Sequence, residues 1–166
     1  LLHVVRPDPA TEAQSRIEVD EYVPFQWRSY DEGLGAGYVR LGNYSTRLLE
    51  LAIAPHTQVL RGLTVVSLDE LSPWPEFSIA RKLAGLPVVS TSFHEWQIVD
   101  LADDFRVSVR RPEILVFWGA LGACESYAFE QVHFLTQDGV LQGAWFTEVP
   151  DEALRLFLSH AGPPQE

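Results

Sequence analysis

Apolar residues recur at every second position through several short stretches of this chain, and at helical spacing only in two places. Residues 47–53 set Leu49, Leu51 and Ile53 on one face against Leu48, Glu50 and Ala52 on the other, the period of a half-buried strand. Residues 105–110 alternate Phe105, Val107 and Val109 with Arg106, Ser108 and Arg110. Strands are also expected at 38–41, 59–68, 113–118, 130–136 and 140–149, with an edge strand at 16–23, while 93–101 reads equally as strand or loop. Gln137-Asp138-Gly139 between two such runs is a hairpin signal, because Asp-Gly accepts the left-handed backbone of a tight turn. Residues 76–84 carry Phe77, Ala80, Leu83 and Ala84 near helical spacing before Gly85, which predicts one short central helix. Leu154, Phe157 and Leu158 form a stripe after Asp151, which can cap, and Gly162-Pro163-Pro164 stops the run, so the chain ends in a helix.

A short echo organises these elements. Val59-Leu60-Arg61-Gly62 opens the apolar run at 63–68 and is followed by Asp69-Glu70; Val140-Leu141-Gln142-Gly143 opens the run at 144–149 and is followed by Asp151-Glu152. Aligning the preceding apolar runs, 48–53 with 114–118, leaves extra residues around 119–129 in the second copy. The expected fold is α+β and mainly β: antiparallel sheets built from two similar strand–loop–strand (meander) units, with a central and a C-terminal helix. At 166 residues, 46% of them apolar, the chain fits a single domain, 1–166, with a substantial core; residues 1–15, polar and proline-containing, are expected to be a loose N-terminal arm. Met is absent, so Leu1 is not expected to be the translational start, and a removed leader stays open.

Charge changes the picture more than size does. Twenty-three acidic residues stand against 12 basic ones, a net charge of −11, and Lys82 is the only lysine. That balance opposes nucleic-acid phosphates and anionic membranes and favours a basic partner. No apolar run is long enough to span a bilayer. The single cysteine, Cys124, allows no internal disulfide, favours a cytoplasmic location, and has no nearby histidine to activate it.

Candidate chemistry is thin. Gly33-x-Gly35-x-Gly37 precedes a strand-like run and not a helix, so it reads as a flexible loop. The histidines His3, His56, His94, His133 and His160 lack metal-ligand spacing, although His133 could approach His56 or His94 in space. Paired-carboxylate catalysis has candidates in Glu50, Glu95, Asp100, Asp103, Asp104 and Glu148; Glu50 is expected to pair with Arg47 or Arg61. Ser90-Thr91-Ser92 before His94 lacks the nucleophile-elbow pattern. No cofactor, metal ligand or catalytic residue is assigned.

Aromatics interleaved with acids are more suggestive. Tyr22, Trp27, Tyr30, Asp31 and Glu32 form the first candidate interface, and Asp69, Glu70 and Trp74 the second, with the aromatics as anchors and the carboxylates matching Arg and Lys. The aromatic of a third segment, Trp96, is expected in the core. Residues 49–66, Leu-Glu-Leu-Ala-Ile-Ala-Pro-His-Thr-Gln-Val-Leu-Arg-Gly-Leu-Thr-Val-Val, resemble a strand–turn–strand pattern of small bacterial proteins that include immunity-like proteins encoded beside secreted toxins. Ala54 and Gln58 depart from the Asp and Gly of that pattern. The resemblance implies a compact, acidic, cytoplasmic protein that occludes a toxin's site, and transfers no functional residue.

The sequence therefore leads to a non-enzymatic immunity or inhibitor protein that binds a basic protein partner such as a toxin domain, with no nucleic acid and no membrane. The alternative is a small-ligand-binding β module whose pocket is lined by Trp118, Phe134, Trp145 and Phe146. A carboxylate-dependent hydrolase or isomerase is the third reading.

Overall fold

A computed structural model describes residues 2–11, 13–29 and 35–161. Strands dominate, and the order is β1 Val4–Asp8, β2 Arg16–Glu18, β3 Phe25–Arg28, β4 Gly37–Gly42, β5 Leu48–Ile53, β6 Leu60–Ser67, β7 Ser78–Ala84, β8 Leu86–Val89, β9 Ile98–Asp100, β10 Arg106–Arg110, β11 Glu113–Phe117, β12 Ala123–Phe129, β13 Val132–Gln137, β14 Val140–Phe146 and α1 Asp151–His160. The first sheet runs β2-β3-β6-β5-β4-β9 and the second β10-β11-β14-β13-β12-β7, while β1 and β8 form a separate pair.

These two orders correspond strand for strand. In each sheet the first five strands are antiparallel neighbours and the sixth lies parallel at the edge. The sixth strands come from the connecting segment: β7 leaves the first set and joins β12 of the second sheet, and β9 precedes the second set and joins β4 of the first. Each sheet is therefore completed by chain from between the two sets.

The tetrapeptide echo marks the same irregularity in both sheets. Gly62 faces Ala52 on one side and Arg28 on the other; Gly143 faces Leu135 and Phe117. In each sheet the register then slips by one, so that Leu60 meets Ile53 and Leu141 meets Thr136, leaving Arg61 and Gln142 as the extra residues of a bulge. Their carbonyls accept the N–H groups of Ser29 and Trp118, at 3.0 and 2.9 Å. Glycine fits because the neighbouring strand lies close: a Cβ on Gly143 would sit 2.7 Å from the Val116 carbonyl oxygen. The match corrects the sequence alignment. β5 corresponds to β13, and β11 corresponds to β3; the supposed extra residues contain β12, the counterpart of β4.

The inner faces pack together. Trp27 meets Phe134 edge-on at 5.2 Å and Phe25 meets Phe146 at 4.8 Å, each pair joining one sheet to the other. Leu49, Leu51 and Ile53 point into this core as their alternation requires. α1 closes it with buried Leu154 and Phe157, the latter 6.1 Å from Phe25. Pro150, without a side-chain hydrogen bond, is its N-cap; Asp151 and Glu152 lie in the first turn, where they oppose the helix dipole. The hairpin at Asp138-Gly139 has positive φ at both residues, 51° and 77°, as its sequence demands.

Three further expectations fail for identifiable reasons. Residues 76–84 hold no helix: β7 pairs with β12, and a register slip at Ala80 turns Ile79 toward the outside of the second sheet and Leu83 toward the core. The bulge breaks the alternation that would have marked a strand, so the apolar positions Phe77, Ala80, Leu83 and Ala84 show no period of two. Residues 1–15 are not a loose arm, because β1 pairs with β8 and Leu2, Val4 and Ala10 are buried. Glu50 faces Arg40 and Thr64 across the sheet instead of pairing with Arg47 or Arg61.

Candidate functional site

The outer faces of the two sheets differ where their topology agrees. Across the first sheet one row reads Asp100, Arg40, Glu50, Thr64, Gln26, Glu18. Most of it is paired within the sheet: Arg40 donates to both Asp100 oxygens at 2.7 and 3.0 Å, Gln26 donates to Thr64 at 3.1 Å, and Arg28 bridges Gln26 and Glu18, while Glu50 lies beside Arg40 without a bond to it. The hydrogen bond from Arg40 holds the Asp100 carboxyl below its ordinary range. The corresponding row of the second sheet is Ala84, Ala128, His133, Trp145, Leu115, Ser108. Leu115, Phe117, Cys124 and Leu135 form a small buried cluster there, covered by Trp74, Phe77, Ile79, Leu121 and Trp145.

The cover is residues 72–77, fastened at both ends. Ser72 N–H donates to Val107 O at 2.8 Å, Ser108 Oγ to Pro73 O at 2.9 Å, and Ser78 N–H to Gly122 O at 2.9 Å. It leaves an open groove of about 820 Å³ lined by Trp74, Glu76, Phe77, Ile79, Arg110 and Trp145, among others. Phe77 stands at 83° to Trp145 with ring centroids 5.5 Å apart, and Trp74 lies 6.2 Å from Phe77. Trp145 is fixed by its indole N–H, which donates to Glu113 Oε1 at 2.9 Å; the Glu113 carboxylate also accepts from Arg110, whose guanidinium sits 4.3 Å over the Trp74 ring. Arg110 and Glu113 thus neutralise each other. Glu76 is exposed and makes no ion pair among the described residues, so the lining of the groove carries one uncompensated negative charge, with the exposed Lys82 the cation that bears on His133 behind Trp145.

Below the groove's aromatic wall, His133 stacks on Trp145 at 4.9 Å and its Nδ1 lies 2.9 Å from Ser126 Oγ. Ser126 is fully buried, so its hydroxyl is closed to solvent. Burial pushes the His133 pKa down, and the Lys82 charge adds to the shift. Burial likewise raises the Cys124 pKa, which disfavours the reactive thiolate.

A second cavity, about 590 Å³, lies at one end of the sandwich, lined by Arg47, Glu70, Asp104, Arg106 and Trp118, among others. Arg47 is surrounded by carboxylates: Asp69 at 3.6 Å, Glu70 at 3.5 Å, and Asp104 in direct contact. Arg106 is exposed and has no ion-pair partner among the described residues.

The candidate interface residues are dispersed by this arrangement. Tyr22 is 82% exposed, on a turn fixed by Asp20, whose carboxylate accepts the N–H groups of Tyr22 and Val23 at 2.7 Å each. Those bonds, Val23's first, hold the Asp20 carboxyl below its ordinary range. Trp27 is 0% exposed and belongs to the core, because β3 alternates and sends Phe25 and Trp27 inward; its indole N–H donates to Ser15 Oγ at 2.6 Å. Tyr30, Asp31 and Glu32 lie outside the described residues. Asp69 and Glu70 are engaged by Arg47, whereas Trp74 lies in the groove. Trp118, Phe134, Trp145 and Phe146 do not converge: Phe134 and Phe146 are core, Trp145 faces outward, and Trp118 lines the end cavity.

Sequence reasoning missed Arg110 and Glu113 as site residues; it saw Phe77 beside Trp74 in an acidic and aromatic segment but placed it on a helix at 76–84. It also placed Trp96 in the core, whereas Trp96 is 69% exposed, beside exposed Ile98 on the edge strand β9. Among the described residues no cluster of three His, Cys, Asp or Glu is placed to hold a metal, and no helix is long and apolar enough to cross a membrane. Comparison with protein-family models and with curated proteins finds no match for this chain.

Proposed function

We propose that this chain is a non-catalytic binding protein that docks a basic protein partner, in the manner of an immunity or inhibitor protein that occludes a toxin domain. One observation carries the reading. Where the first sheet presents a polar row that is mostly paired within the sheet, the second presents an aromatic groove with Glu76, which has no ion pair among the described residues, in its lining, on a chain of net charge −11. Rigid aromatics in a partly dry recess are the usual anchors of an interface, and the surrounding acidity accelerates encounter with a basic surface. Tyr22, held outward on its turn, supplies a second anchor.

Asp20 and Asp100 are held below their ordinary range and stand as fixed anions, which adds to the acidity that a basic partner would meet. The matching strand orders support a related proposal, that one strand–loop–strand unit has been used twice and that function resides where the copies differ. A small-ligand reading draws on the end cavity, where unpaired Arg106 and Trp118 share one wall.

The test is capture from cell extract with the immobilised chain and with Glu76→Lys and Glu95→Lys, read by mass spectrometry. The proposal expects a stoichiometric basic protein, released by salt, kept by Glu95→Lys and lost by Glu76→Lys. An acidic partner, a retained small molecule with no protein, or no stoichiometric partner contradicts it.

A further inference from the structure

We infer that the groove between Trp74, Phe77 and Trp145 is the seat of an arginine side chain from the basic partner. The inference rests on the binding reading above and specifies what enters that site. Three observations converge on it. First, the walls suit a flat cation. Phe77 and Trp145 meet almost at right angles, 83° with centroids 5.5 Å apart, so a guanidinium entering the corner meets the face of one ring and the rim of the other. Aromatic faces attract cations through the ring quadrupole, and arginine adds stacking through its planar head.

Second, a guanidinium already uses this wall. Arg110 lies 4.3 Å over Trp74 and is anchored from behind by Glu113, so the protein's own arginine shows the chemistry the rings accept. Third, the unneutralised charge is negative: Arg110 and Glu113 cancel, and Glu76 remains exposed and unpaired among the described residues. Among the residues that line the groove, an anionic ligand would meet that carboxylate and no free cation, since Arg110 is already engaged. The corresponding row on the first sheet offers no such seat, because Asp100, Arg40, Gln26 and Glu18 are bonded to neighbours within the sheet.

The experiment titrates the intact chain with acetyl-arginine amide, and with acetyl-glutamate amide as its anionic counterpart, following the indole N–H resonances of Trp74 and Trp145. Saturable shifts are expected with arginine at a dissociation constant on the order of 1–10 mM, appropriate to one side chain. Glu76→Gln should weaken binding about two- to fivefold. Trp74→Leu should weaken it by about the same factor or more. Arg110→Gln should tighten it about twofold or more, because it removes a like charge and uncovers the Trp74 face. The inference is overturned by the absence of saturable shifts, by equal shifts with the glutamate compound, or by loss of binding in Arg110→Gln, which would mark an anion site. The two proposals fail separately. Arginine binding without a captured basic protein leaves the groove and removes the partner; a captured basic protein indifferent to Glu76 and Trp74 leaves the partner and removes the groove.

Discussion

The two sheets share a strand order, a pattern of pairing and a bulge beside a glycine, yet their outer faces obey opposite rules. The first sheet covers its outside with charges that pair across strands, Arg40 with Asp100 and Arg28 with Glu18. The second sheet carries Leu115, His133 and Trp145 at the matching positions, and Trp74 and Phe77 of residues 72–77 pack with Trp145 over the Leu115 cluster. Backbone topology fixes where residues stand; side chains then decide whether a face is finished or left able to bind. A self-paired polar face has little to gain from a partner, since each contact must first break one already made. An aromatic groove held open by outside hydrogen bonds keeps its binding energy in reserve.

The comparison can be broken at several depths. The largest effect is expected in the core that both sheets share: Trp27→Ala should lower stability by about 3–5 kcal/mol in urea unfolding. A Trp27 change with little effect would mean that the sheets do not pack as described. The outer faces come next. Leu115→Ala, in the second sheet's covered row, should cost about 2–4 kcal/mol. Its first-sheet counterpart, Gln26→Ala, should cost about 1 kcal/mol or less; equal costs would erase the difference between the faces. Gly143→Ala should cost about 1–3 kcal/mol, because the added methyl meets the Val116 carbonyl at the bulge. Arg40→Ala removes an exposed ion pair and should change stability by about 1 kcal/mol at most.

His133 gives a subtler contrast, because its first-sheet counterpart Glu50 lies in a polar row. The unfolded ring titrates near 6.5 and the folded ring lower. Above 6.5 both states are neutral. As pH falls below 6.5 the unfolded chain gains a proton that the folded chain resists, so stability declines until the folded ring also protonates. The melting temperature should therefore fall more for the wild type than for His133→Gln between about pH 7 and pH 5. Parallel profiles would show that His133 is not the group responsible.

Much of the scaffold is legible in the sequence, and the reasons are local. Alternation alone places Leu49, Leu51 and Ile53 in the core, and Asp138-Gly139 specifies its own turn. The echo Val59-Leu60-Arg61-Gly62 against Val140-Leu141-Gln142-Gly143 points to a repeated structural feature, although its partner strands were misaligned, since pairing between distant strands leaves no periodic trace. β3 was overlooked because its acidic surroundings drew Trp27 into an interface reading, despite a clear alternation of Phe25 and Trp27 with Gln26 and Arg28. β7 was misread because the bulge at Ala80 shifts its phase.

The site was far less legible. Trp74 was marked, but the site joins three separate stretches of chain, Trp74 to Phe77, Arg110 to Glu113 and Trp145, and only the folded sheet unites them. Asp69 and Glu70 looked available because nothing in sequence announces that Arg47 lies between them and Asp104.

The most direct test of the account is a map of backbone and indole N–H shifts across the intact chain when an oligo-arginine peptide is added at low salt. Binding at the face where the sheets differ predicts shifts concentrated at Trp74, Phe77, Ile79 and Trp145, with the row containing Arg40, Glu50 and Asp100 left still. Shifts centred on that first-sheet row, on Trp96 and Ile98, or spread evenly over every acidic residue would contradict it.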